Sequence, residues 1–118
     1  MKHPYAVVIE DDPKLSMIYV DTLKEAGFEI ALDINGNQYD ALLATKPDLV
    51  ILDLHLPFAS GVDILSDIRA KCPTTVIAVV TADFIKAKSL PAIADHVLIK
   101  PVSIARLLKI AESVKATL

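Results

Sequence analysis

Three observations predict an α/β fold of five strand–helix units around a parallel sheet. Short runs of Val, Ile, Leu and Ala recur at residues 6–9, 48–53, 76–80 and 96–99. They lack the polar alternation of a half-exposed strand, as expected of strands covered on both faces. Segments with helical periodicity alternate with these runs, which demands right-handed crossovers and a parallel sheet. Hydrophobic residues make up 53% of the chain but aromatic residues only 5%. That balance suits parallel strands under helices better than an aromatic-rich sandwich.

The elements follow in order. Ala6-Val7-Val8-Ile9 is the first strand, ending in Glu10-Asp11-Asp12. A helix follows, with Pro13 in its first turn and Leu15, Ile18, Tyr19, Leu23 and Ala26 at helical spacing. Gly27 stops it ahead of a short strand over 28–32. Asn35-Gly36-Asn37 marks a turn, and 39–45 reads as a short helix closed by Lys46-Pro47. The third strand runs to Asp53, a loop covers 57–61, and a helix spans 62–71. The fourth strand ends in Thr81. Residues 83–89 form a short helix that Leu90-Pro91 interrupts, with a second turn over 92–94, so this connection is expected to be irregular. The fifth strand ends in Lys100. The last helix has Ser103 as N-cap and a stripe of Ile104, Leu107, Leu108, Ala111, Val114 and Leu118.

At 118 residues the chain fits one domain spanning its full length, with no internal repeat, linker or low-complexity stretch. A net charge of −3 offers no basic field for nucleic acid. Cys72 stands alone, which excludes an internal disulfide and a cysteine zinc cluster; it is expected to pack as a small hydrophobe near a helix end. No segment reaches membrane-span length and no leader pattern is present, so a cytoplasmic protein is expected.

Four strand ends deliver acids, a hydroxyl and an ammonium: Glu10 with Asp11, then Asp53, Thr81 and Lys100. In open parallel sheets ligands bind outside the carboxyl ends of the strands. Carboxylates gathered there repel one another by about 4 kcal/mol per pair at about 4 Å and a dielectric of about 20. A cation or proton relieves that cost. Few, solvent-open oxygen ligands suit Mg²⁺, with Mn²⁺ as the alternative, better than Ca²⁺. His3, His55 and His96 form no zinc set. With a metal in place Asp53 is the candidate nucleophile towards a phosphoryl group, giving an acyl phosphate. Lys100 would neutralise phosphoryl oxygens, Thr81 would donate to one of them, and Ala82 leaves space. Plainer readings stand beside these. The first acids could cap a helix, with Asp12 as its N-cap; Thr81 could simply end a strand, and Lys100 could lie over apolar surface.

Val8-Ile9-Glu10-Asp11-Asp12-Pro13, Leu52-Asp53-Leu54-His55-Leu56-Pro57 with Gly61, Thr81-Ala82 and Lys100-Pro101 together resemble the CheY-like receiver domain of two-component response regulators. The resemblance covers essentially the whole chain. It implies a doubly wound, flavodoxin-like sheet in the order 2-1-3-4-5. It also implies Asp53 as phosphoacceptor, Asp11 as direct magnesium ligand, Glu10 as ligand through water, and the His55 backbone carbonyl completing the protein's share of the shell. Thr81 would be the switch hydroxyl and Lys100 the phosphate partner, with a cis bond before Pro101. The implied donor is a histidine kinase or a histidine phosphotransfer protein. Output would pass to a protein target, from a monomer or weak homodimer, with neither nucleic acid nor membrane involved. The protein would not be a conventional enzyme, although it would catalyse its own phosphorylation and dephosphorylation.

Two features depart from that family. Val97 stands where receivers carry Tyr or Phe, and the interval from Thr81 to Lys100 is shorter than usual by roughly one helical turn. The sequence therefore predicts intact phosphorylation chemistry with a rebuilt output surface, in a stand-alone switch or phosphate shuttle. The alternative is a phosphorylation-independent pseudo-receiver that only binds a partner. An aspartyl phosphatase would need a second acid where His55 stands, and a dinucleotide enzyme would need a glycine-rich turn where Glu10-Asp11-Asp12-Pro13 stands.

Overall fold

The computed structural model describes residues 3–57, 59–90 and 92–118. Ten elements alternate: β1 (Tyr5–Ile9), α1 (Pro13–Glu25), β2 (Glu29–Asp33), α2 (Tyr39–Leu43), β3 (Leu49–Asp53), α3 (Gly61–Lys71), β4 (Val76–Thr81), α4 (Phe84–Lys88), β5 (His96–Ile99) and α5 (Ile104–Ala116). The five strands are parallel in the order β2-β1-β3-β4-β5, as the resemblance implied. Val8 pairs with Ile51, Ile51 with Ala78 and Val80 with Leu98, so the carboxyl ends of four strands share one rim.

Period-two alternation divides the core into two layers. Ala6, Val8, Leu49, Ile51, Ala78, Val80 and Leu98 pack under α1 and α5 with Tyr19, Leu107, Ala111 and Val114. Val7, Ile9, Val50, Leu52, Ile77 and Val79 pack on the opposite face with Leu43 of α2 and Ile64, Leu65 and Ile68 of α3. No residue of α4 is buried. The sheet is thus doubly wound, and its central strand, β3, is buried throughout.

Local chemistry sets the helix limits. Asp12 caps α1, its Oδ1 accepting from the Lys14 and Leu15 amides at 2.8 and 3.1 Å. At the other end the Gly27 amide donates to Lys24 O and the Phe28 amide to Leu23 O, at 2.9 and 3.0 Å. That is a Schellman closure, and it uses Gly27 at φ +95°. Phe28 is consumed by it, so β2 begins one residue later than the sequence predicts. Ile18, expected on the buried stripe, is 43% exposed. Ser16 and Thr22 take that face instead, their hydroxyls bonded back to the carbonyls of Pro13 and Ile18. Ser103 caps α5 as predicted. The stripe of α5 is Leu107, Ile110, Ala111 and Val114, while Ile104 and Leu118 at its ends are exposed. Helix α2 ends at Leu43, shorter than expected. The predicted turn over 92–94 shows as a turn at Ala92 and Ile93; Pro91 lies outside the described residues. Cys72 caps α3 and is buried.

Candidate functional site

The rim gathers the predicted groups. Glu10, Asp53 and Lys100 continue the face on which Val8, Ile51 and Leu98 pack beneath α1 and α5, whereas Thr81 follows Ile77 and Val79 onto the opposite face. Lys100 Nζ lies 3.3 Å from Asp53 Oδ2 and 3.4 Å from Glu10 Oε2. The exposed Asp11 joins them, and ligand oxygens of Glu10, Asp11 and Asp53 all fall within 4.8 Å of one another. The Lys100–Pro101 peptide bond is cis, as the resemblance implied, and the Lys100 amide donates to Thr81 O at 2.8 Å. The strand ladder therefore carries Lys100 to the rim.

Burial makes the cluster costly. Glu10 is 0% exposed and Asp53 1%. Glu10 Oε1 accepts from the Asp12 amide at 3.2 Å, and Oε2 faces the Lys100 ammonium at 3.4 Å. Desolvation, then a hydrogen bond to Asp53 and its charge, push the Glu10 carboxyl up to about 7 against the pull of Lys100. Three carboxylates whose oxygens converge around a single ammonium fit a hard divalent cation, which would meet the oxygens and cancel the repulsion.

Asp53 Oδ1 accepts from the His55 amide at 2.9 Å, which turns the chain after β3. His55 bridges Ser60, and its side chain is exposed. Gly61 closes this loop: a Cβ there would meet Leu54 Cα at 2.5 Å, so only glycine allows the approach. Thr81 is fully buried, and its Oγ1 accepts from the Asp83 amide at 3.0 Å. Ala82 is exposed beside it, leaving the rim open. Val97 is half-buried on the Thr81 face.

Sequence reasoning passed over three residues. Asp33, at the end of β2, is fully buried; its Oδ1 accepts from the Asn35, Gly36 and Asn37 amides and its Oδ2 from Gln38. The Asn-Gly-Asn turn that follows was the available signal, since aspartate folds such turns onto its own carboxylate. Its carbonyl accepts from the Glu10 amide at 3.3 Å, tying this loop to the site. The Tyr19 hydroxyl is buried without a partner among the described residues. Burial, then the charges of Glu10, Asp53 and Asp12, hold its proton on far above the usual range. Arg69 is the third, and its bonds lie away from the rim. A cavity of about 520 Å³, lined by Lys46, Lys71, Cys72 and Thr75, also lies at the far, amino-terminal end of the strands.

Comparison with known proteins bears on the family and the fold. The sequence model of the response regulator receiver domain matches residues 6–112. The transcriptional regulatory protein CusR of Escherichia coli is 35% identical over 106 residues, covering 86% of this chain and 47% of that protein. The transcriptional regulatory protein PdtaR of Mycobacterium tuberculosis is 32% identical over 110 residues, covering 90% and 54%. The chain thus spans about half the length of the curated relatives it matches. Among solved structures, the Thermotoga maritima response regulator TrrA in complex with Mg(2+)-BeF superposes with a TM-score of 0.84 at 26% identity, covering 94% of this chain and 98% of that one. No helix among the described residues is long and apolar enough to cross a membrane.

Proposed function

The chain belongs to the response regulator receiver family, and on that premise we propose that it accepts a phosphoryl group on Asp53 from a phosphohistidine donor. One observation carries this reading: a nearly buried carboxylate at the tip of the central strand, 3.3 Å from Lys100 Nζ and grouped with Glu10 and Asp11. In the transfer, an Asp53 oxygen bonds to phosphorus while the N–P bond of the donor breaks, and the imidazole keeps the electron pair and takes up a proton. Water later attacks phosphorus, restoring the carboxylate and releasing inorganic phosphate.

Glu10, Asp11, Asp53 and the His55 carbonyl would hold Mg²⁺ or Mn²⁺. When bound, the ion offsets the negative charge of the carboxylates and of the transferring group. The chain's own residues do the rest. Lys100 pairs with a phosphoryl oxygen, exchanging its present contacts to Asp53 and Glu10 for a stronger charge. Thr81 donates its hydroxyl to another oxygen, and exposed Ala82 leaves the approach clear. The donor would be a histidine kinase or histidine phosphotransfer protein, the setting cytoplasmic, and the output a change in binding to a downstream protein, the domain acting as a switch or phosphate shuttle.

Val97 favours a second reading, a pseudo-receiver that binds its partner without phosphate, because valine offers no aromatic lever beside Thr81. Incubation with Mg²⁺ and acetyl phosphate, followed by intact mass measurement, separates the two. Wild type should gain one phosphoryl group and Asp53→Asn none. A wild-type protein that stays unmodified, or an Asn variant modified equally, removes Asp53 from the role.

A further inference from the structure

The connection from β4 to β5 has two unlike ends. At its start, the Asp83 amide rests on Thr81 Oγ1, and Asp83 in turn caps α4 through Lys86 N at 2.9 Å. Helix α4 buries nothing; Phe84 is 57% and Ile85 80% exposed. None of its residues joins either core layer, whereas Leu90, Ile93 and Ala94 pack against the α3 side.

At its far end the connection is gripped. Arg69 of α3 donates through Nε and Nη2 to Ile93 O at 3.0 and 2.7 Å, and through Nη1 to Pro73 O and Thr75 O at 3.1 and 2.8 Å. Its Nη2 also meets Asp95 Oδ2 at 2.7 Å, and that same oxygen accepts from the Ile77 amide at 2.8 Å. The Asp95 amide returns a bond to Ile77 O at 2.9 Å. Every N–H of the guanidinium is committed, and four of these bonds go to backbone carbonyls. The Asp95 carboxylate is 43% exposed, so the ion pair itself contributes little. The hold is one of fork geometry, which lysine cannot reproduce.

We propose that Arg69 is a positioning residue that fixes where the response to phosphorylation stops, confining it to α4 and its flanks. This rests on the phosphoacceptor reading above. Turning the Thr81 hydroxyl toward a phosphoryl oxygen carries Oγ1 away from the Asp83 amide and loosens the start of α4. The clasp keeps residues 93–95 and the start of β4 in place, so the movement cannot run on along the connection into the start of β5. A short helix without a core face thereby moves against a fixed end, with no aromatic residue at position 97.

Amide exchange and NMR shifts, with and without Mg²⁺ and beryllium fluoride, test this in wild type, Arg69→Ala, Arg69→Lys and Asp95→Asn. In wild type the amides over 83–90 should respond, and those of Ile93, Asp95 and Ile77 should not. In Arg69→Ala the Asp95 and Ile77 amides should exchange at least ten-fold faster, and the response should spread into β5, while acetyl phosphate still modifies Asp53. Arg69→Lys should resemble the alanine variant more than Asp95→Asn does, and Asp95→Asn guards against simple misfolding of the arginine variants. A wild-type response that already runs through Ile93 and Asp95, or a confined response in folded Arg69→Ala, overturns the inference alone. If Asp53 and Thr81 themselves show no response, the phosphoacceptor reading falls with it.

Discussion

Where β2 leaves the sheet, a buried carboxylate gathers the chain; where β4 leaves it, one hydroxyl does. Asp33 accepts four successive backbone amides and ties its loop to Glu10. Thr81 accepts one amide, and the helix beyond it has no buried residue. Charge-assisted bonds to a carboxylate are roughly twice as strong as neutral ones. The acidic side of the rim is therefore built to stay, and the hydroxyl side to let go. Rigidity is distributed by the acceptor that ends each strand, not by the length of the connection that follows.

The largest break in that contrast should come from Asp33→Ala. It strands four amides, of which only that of Gly36 is buried, and a buried donor left unpaired costs about 1–3 kcal/mol, so a loss of about 2–4 kcal/mol is expected after relaxation, against about 1 kcal/mol or less for Asp83→Ala. Urea denaturation of both variants checks this, and equal losses would erase the distinction between the two connections.

Glu10 sharpens the comparison through pH. In the metal-free protein its carboxyl keeps its proton up to about 7, whereas its ordinary value is 4.5. Between those values the folded state binds more protons than the unfolded chain, so stability falls as pH rises through the window and levels off above it. The drop should be on the order of 3 kcal/mol. Saturating Mg²⁺ should flatten it, as should Glu10→Gln; a slope that survives in the Gln variant belongs to another group.

The smallest effect is expected at Ile85. At 80% exposure its truncation to alanine should shift the unfolding free energy by about 0.5 kcal/mol or less. A larger loss would mean that α4 is anchored after all.

The order of elements was legible because apolar runs and helical spacing are local patterns. So was the candidate site, because each of its groups ends such a run: Asp53 after Leu49-Val50-Ile51-Leu52, Thr81 after Val76-Ile77-Ala78-Val79-Val80, Lys100 after Val97-Leu98-Ile99. Ile18 and the ends of the α5 stripe misled, since spacing alone cannot say that Ser16 and Thr22 satisfy their hydroxyls on their own helix and take the inner face.

What the chain by itself determined is which groups reach the rim, because alternation and strand ends are written in consecutive residues. Only the folded molecule decided their company. It set Glu10, Asp53 and Lys100 on one face and Thr81 on the other, gave Glu10 Oε2 and Asp53 Oδ2 one ammonium to share, and brought Arg69 to carbonyls up to 24 residues away. Those facts depend on register and crossover between distant segments, where a shift of one residue exchanges every face, and no local pattern records them.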